Sequence, residues 1–428
     1  IMYMLVSAPG QMASYMPMSS WYVVALLLAP SGYAIQDVVA DAMTVEAVPR
    51  SDSEGNPYTE AQERALHTTM QTLGRIAIIS GFAAVAAVNI WMFEGSENLD
   101  ADARLELYGR VYLTALIIPL ISVSGVVLHA IIQRRMRKNL RSAAGPEGRT
   151  EIDWQILMGG LFFVVFSISM GAGGFEYSQE IVFSASLLII FFLIGRLLKE
   201  LQPAQARILM GTAAIIFVFR AVPLPGPGLT WFEIDELGFD EQFLAILAFI
   251  TSLLALLGLL VLRPLMARKS IADVVLLLTI AAAVLSLPNL ALYYGVHEWT
   301  AARTNGIIDA RFIAVLDTAI ESPLGQVAMV PMLAWIARNA PPHLKATFFA
   351  VMASFTNMAL SASSLGTKYL NQIFVVTREA VDPQSGVSIS DADYSLLGQL
   401  LVVVALIGVV APMATILTVQ HSRFRTTE

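Results

Sequence analysis

The sequence predicts an all-α polytopic membrane protein. Three observations carry that prediction: 56% of the 428 residues are hydrophobic, only 14% are charged, and the apolar residues gather into long runs broken by short polar connections. Such a composition cannot cover a water-soluble surface of this size, so the bilayer is the expected solvent. The net charge of -7 says little about partners, because orientation in a membrane follows where Lys and Arg sit. With no cysteine in the chain, disulfides, thiolate metal sites and cysteine nucleophiles are excluded.

A helix needs about 20 mostly apolar residues to cross the hydrocarbon core, and about eleven runs qualify. They are 20–46, 65–93, 108–133, 153–174, 178–198, 205–224, 241–262, 269–294, 309–338, 344–374 and 396–420. Residues 1–7 are already apolar and read as the stub of another span.

The connections alternate between basic and acidic. One side carries Arg50, Arg64, Arg134, Arg135, Arg137, Lys138, Arg196, Lys199, Arg263, Arg268, Lys269, Arg338 and Lys345; the other carries Glu94, Asp100, Asp102, Glu233, Asp235, Glu236 and Asp240. The positive-inside rule puts the first set and the C-terminus in the cytoplasm, and we expect an integral protein of the bacterial cytoplasmic membrane. A miscounted span would scramble this alternation.

The most basic connection, 134–152, contains Gly145, Pro146 and Gly148 and divides the chain as a central linker would. Behind it lie an inserted hairpin of two spans, 153–198, and a C-terminal bundle of six, 199–428. Six is the size of one half of the major facilitator fold, in which two pseudo-symmetric helical bundles are each built from inverted three-helix repeats. On that numbering, 1–133 is a partial N-terminal bundle: the end of helix three and helices four to six.

Charged groups inside a span cost a few kcal/mol at least, so each is a candidate for function. In QDVVADAMTVE, Gln36, Asp37, Asp41 and Glu46 approach the cytoplasmic end of a span, with Asp37 and Asp41 four apart on one helix face. In LDTAIESPLGQ, Asp317 and Glu321 repeat that spacing, and Gln326 lies near the same stripe. Both helices are the fourth of their bundle on this numbering, and paired acids there suit a site between halves. Arg75 and Arg220 are the counter-charges. Arginine offers a planar fork for a substrate carboxylate, and carboxyl groups in a semi-dry cavity can carry protons. Asp41, Glu46 and Arg64 suit gate salt bridges equally well, and Asp37 with Arg75 suits a structural ion pair. Asn357, with Ser354 and Thr356, suits interhelical hydrogen bonding. Tyr33, Trp231, Phe232, Tyr293 and Tyr294 read mainly as interfacial aromatics, although they would also stack on a planar ring.

Enzyme motifs fail. HEWTA at His297 has Ala301 where a zinc-binding helix requires its second histidine, and GPG at Gly226 is not followed by the lysine of a phosphate loop. We expect no enzyme activity, no cofactor or metal, and no nucleic-acid partner.

Four stretches resemble the folate-biopterin transporter family of the major facilitator superfamily: QDVVADAMTVE from Gln36, FVFRAVPLPGPGLTWFEIDELGFDEQFL from Phe217, LDTAIESPLGQVAMVPML from Leu316, and KATFFAVMASFTN from Lys345. ADYSLLGQLL from Ala392 is a weaker fifth. The resemblance implies proton-linked uptake of folates, pterins or related solutes, with Asp37, Asp41, Arg220, Asp317 and Glu321 among the matching positions. The function expected is therefore secondary active transport by alternating access, with small solute, protons and lipid as partners. The alternatives are a muropeptide-type or other organic-anion permease of the same superfamily, whose helices share the QD...DA...E pattern, and a non-transporting assembly or pigment-delivery factor.

Overall fold

The computed structural model describes residues 1–46, 56, 58–96, 99–139, 154–173, 175–261, 271–321, 345–381 and 388–426. These residues are almost entirely helical. In chain order the helices are α1 (Met2–Ser7), α2 (Pro9–Tyr15), α3 (Met18–Glu46), α4 (Glu60–Met92), α5 (Ala101–Ala115), α6 (Ile117–Asn139), α7 (Trp154–Ala172), α8 (Ser178–Leu198) and α9 (Pro203–Arg220). They continue with α10 (Pro227–Asp235), α11 (Glu241–Val261), α12 (Ile271–Leu285), α13 (Leu287–Tyr293), α14 (Val296–Arg303), α15 (Ala310–Glu321), α16 (Lys345–Ile373) and α17 (Leu397–Gln420). A small antiparallel hairpin, β1 (Ala380–Val381) with β2 (Ser388–Ser390), joins α16 to α17.

Among the described residues, each run expected from hydropathy contains a helix. Within those same described residues two of the runs are interrupted: 108–133 at Leu116, between α5 and α6, and 269–294 at Ser286, between α12 and α13. Pro119 and Pro288 follow the two breaks, and proline is best tolerated in the first turn of a new helix because it brings no N–H. Among the described residues five helices or helix pairs are long and apolar enough to cross a membrane, or six if the sharply bent pair α2–α3 is one span.

The chain divides into two compact units. One comprises Ile1–Ala40 with Trp91–Phe175, the other Asp41–Ile90 with Glu176–Glu428. In the first, α1 packs on α5, where Gly109 brings the helices close enough that a Cβ would sit 3.1 Å from Val6. Phe93 and Tyr108 meet edge to face beside them, 5.7 Å between centroids.

In the second unit, α8, α9, α12, α16 and α17 share a core centred on Leu209, Ile215, Ile216, Val275 and Met352. Helix α7 of the expected hairpin falls in the first unit and α8 in the second, where Ile190 and Leu197 enter this core. Lys368 and Tyr369 of α16 both donate to Glu180 Oε1 on α8, at 2.7 and 2.6 Å. The outward faces are apolar: Leu406, Val410 and Leu417 share one stripe of α17 and all are exposed. Such faces belong in lipid, and the molecule is an integral membrane protein.

Candidate functional site

Helix α9 stops at Arg220, and the chain runs without helix through 221–226 before α10 begins. The sequence there is AVPLPG, and neither Pro223 nor Pro225 has an N–H to continue the helical ladder. Unwound backbone within a membrane protein needs other partners for its polar groups, and it tends to occur where it lines a cavity. One face of α16 supplies the partners. Ser363, Thr367 and Asn371 are four apart, so they lie in a row. Ser363 Oγ donates to the Val222 carbonyl (2.6 Å), the Leu224 N–H donates to Thr367 Oγ1 (2.9 Å), and Asn371 Nδ2 donates to the Pro225 carbonyl (3.1 Å). Gly226 turns the chain into α10 with φ of +80°, and a Cβ there would lie 2.8 Å from Asn371 Nδ2.

The unwound segment forms a wall of a cavity of about 280 Å³. Ser286 and Asn289 at the α12–α13 break also line it, with Leu401, Val404 and Gly408 of α17. The lining is apolar with a few polar groups, as small-molecule sites are, and its size is at the low end for such sites. Asn289 joins this cavity to Asp317: its Nδ2 donates to Asp317 Oδ2 at 3.4 Å, and Asp317 is only 7% exposed on α15. A long hydrogen bond to a buried carboxyl group lets the amide exchange roles. It donates when the acid is ionised and accepts through its own oxygen when the acid is protonated.

The same end of the unit is closed by a second network. Asp235, at the end of α10, accepts from Arg378 Nε and Nη2 at 2.9 and 2.7 Å and from the Tyr394 hydroxyl at 2.6 Å. Tyr293, one turn after Asn289 on α13, donates to the carbonyls of Tyr394 and Ser395 at 3.0 and 3.1 Å. Phe232 fills the space between, with ring centroids 5.5 Å from Tyr293 and 5.7 Å from Tyr394. The Arg378 guanidinium holds the Asp235 carboxyl below its ordinary value. Burial, and then donation to Asp235, push the Tyr394 phenol up to about 12. Burial also raises the neighbouring Glu233 to about 7.

Of the residues expected from sequence, Asp317 is placed deep in the second unit and Arg220 at the last turn of α9, half-buried, where the unwound segment starts. Gln36 donates to Ser122 Oγ at 2.8 Å within the first unit, and Asn357 is exposed on α16. The side chains of Asp37, Asp41, Glu46, Arg64, Arg75 and Glu321 lie outside the described residues, as does all of Gln326. Phe232 and Tyr293 are packed in a core cluster instead of standing at an interface, whereas Tyr33 and Tyr294 are exposed. Sequence reasoning missed Asn289, the Ser363–Thr367–Asn371 row and the Asp235–Arg378 pair. The row had a signal in its spacing of four, but the serine-rich stretch around it hid that pattern.

The profile of the BT1 family matches residues 195–424, more than half of the chain and all of the cavity. The chain belongs to the BT1 family. This is a family of membrane transporters, and the BT1 match covers α9, the unwound segment, α13, α15 and α16 together. A folate-biopterin transporter of Synechocystis sp. is 31% identical over 158 residues, which is 37% of this chain and 31% of that protein's length. Two solved structures share the fold. A POT family transporter in complex with 5-aminolevulinic acid matches with a TM-score of 0.51 at 12% identity, covering 91% of this chain and 73% of its own. A POT family transporter in complex with a thioalcohol-conjugated peptide matches with a TM-score of 0.50 at 12% identity, covering 89% and 72%. At that identity the likeness establishes the major facilitator architecture.

Proposed function

We propose that this BT1 protein is a secondary active transporter that takes up folate, pterin or a related organic anion together with protons, by alternating access. The observation that carries the reading is the hydrogen bond from Asn289, on the wall of the cavity, to the buried Asp317. A buried carboxyl group in a membrane helix is expensive unless it has a use, and proton binding is the commonest one. Protonation of Asp317 would reverse the polarity of the Asn289 amide, so the cavity would present a different hydrogen-bonding wall to a solute with and without the proton. Arg220, at the mouth of the unwound segment, is the cationic group suited to a carboxylate, and the apolar lining suits a heteroaromatic ring. The basic connections support a cytoplasmic C-terminus, and the proposed location is the bacterial inner membrane.

The test is accumulation of labelled folate and pterin by cells expressing the protein, with and without a protonophore. The expected result is concentrative uptake that collapses with the gradient. Accumulation that ignores the protonophore would remove the proton, and competition by muropeptides but by no pteridine would change the substrate.

A further inference from the structure

We propose that α14, in the corner between α13 and α15, lies in the headgroup layer of the bilayer and anchors this end of the protein to phospholipid. The helix turns its hydroxyl groups inward and exposes its indole. His297, Thr300 and Thr304 recur at i, i+3 and i+7 and turn inward: Thr300 Oγ1 donates to the Ile308 carbonyl at 2.7 Å, and the Ile308 N–H donates to Thr304 Oγ1 at 2.9 Å. His297 Nδ1 is buried among them. Val296, Trp299 and Arg303 have the same spacing on the outer face, where Val296 and Trp299 are 40% and 56% exposed, and the Glu298 carboxylate is exposed beside them.

Two observations select lipid as the occupant of that face. The first is continuity. Leu277, Ile280, Val284 and Leu287 form an exposed stripe along α12 and the start of α13, spaced by 3, 4 and 3 residues, and Tyr294 continues it. This stripe belongs to a membrane-spanning segment, and just past the end of that segment Tyr294, Val296, Trp299 and Ile307 are exposed as well. Indole and phenol rings prefer the interface over both water and hydrocarbon. The second is charge. The Arg303 guanidinium sits 3.9 Å above the centre of the Trp299 ring, and its N–H groups suit a lipid phosphate at that level. The corner joins the two helices that carry Asn289 and Asp317, so lipid held here would set the depth of both.

The test uses the full chain reconstituted in phosphatidylcholine and phosphatidylglycerol vesicles, with Trp299 as the sole tryptophan after the other five are changed to Phe. Nitroxide lipids labelled on the headgroup, near the top of the acyl chain or near its end are compared with aqueous iodide. The expected result is the largest loss of Trp299 emission with the headgroup and upper-chain labels, little with the chain-end label, and little with iodide. Strong iodide quenching without lipid quenching would overturn the proposal. So would shielding from every quencher, which would point to a second copy of the chain on this face. Should the five-fold variant fail to fold, Ala302→Cys in the naturally cysteine-free chain, carrying a polarity-sensitive fluorophore, reads the same depths with all tryptophans kept.

Discussion

Glu233 and Asp235 are two residues apart on the short helix α10, outside the spans, and their surroundings move them in opposite directions. Asp235 is held low by the Arg378 fork, so its contribution to stability is present above the ordinary carboxylate value and is lost only as pH falls through the lowered one. Glu233 is raised from 4.5 to about 7 by burial, so the folded protein keeps a proton that the unfolded chain has released. Stability therefore falls as pH rises from about 4.5 to about 7 and is level above that. Replacing Glu233 with Gln should flatten this decline, which thermal unfolding of wild type and Glu233→Gln between pH 5 and pH 8 would read as a gap in midpoint that opens toward pH 8. Gly398 decides a different contact: a Cβ there would fall on the Tyr293 ring. We expect Gly398→Ala to push that ring off the Tyr394 and Ser395 carbonyls and to cost about 1–3 kcal/mol of stability, measured by denaturant or heat.

At the scale of elements, α16 performs two tasks with side chains one residue apart. Thr367 accepts from the unwound segment at Leu224, while Lys368 reaches α8 at Glu180. Removing the first should be the more damaging. Thr367→Val leaves a backbone N–H without its acceptor, a loss of about 1–3 kcal/mol, and because that backbone lines the cavity, KM for uptake should rise with the loss of stability. Lys368→Met removes one of two donors to Glu180, and at a partly exposed ion pair the expected cost is at most about 1 kcal/mol, with uptake kinetics unchanged. Uptake assays paired with thermal shift on the two variants separate a helix that shapes a site from a clasp between helices. The apolar helices were legible from sequence as runs of some 20 residues, and among the described residues five or six of the eleven expected are long and apolar enough to cross. The breaks at Leu116 and Ser286 were visible only as Pro119 and Pro288, and proline alone does not say whether a helix bends, breaks or continues.

For the whole molecule, Asp317→Asn is the deciding substitution. It keeps the shape and the hydrogen bond to Asn289 but cannot ionise, so a coupled transporter should retain exchange of labelled solute across the membrane and lose accumulation against a gradient. An assembly factor would be indifferent to the change. The amino-acid sequence by itself determined that this is a helical membrane protein and that Asp317 is a rare acid among apolar neighbours. Both follow from the cost of placing polar groups in hydrocarbon, which acts locally along the chain. Only the tertiary structure decided that Asn289 stands between Asp317 and a cavity, that Arg378 meets Asp235 across 143 residues, and that the row on α16 holds an unwound strand of backbone. Those pairings depend on how each helix is rotated about its axis and how closely it approaches its neighbours. That is settled by small residues and core packing from many elements at once, and no single stretch of sequence contains it.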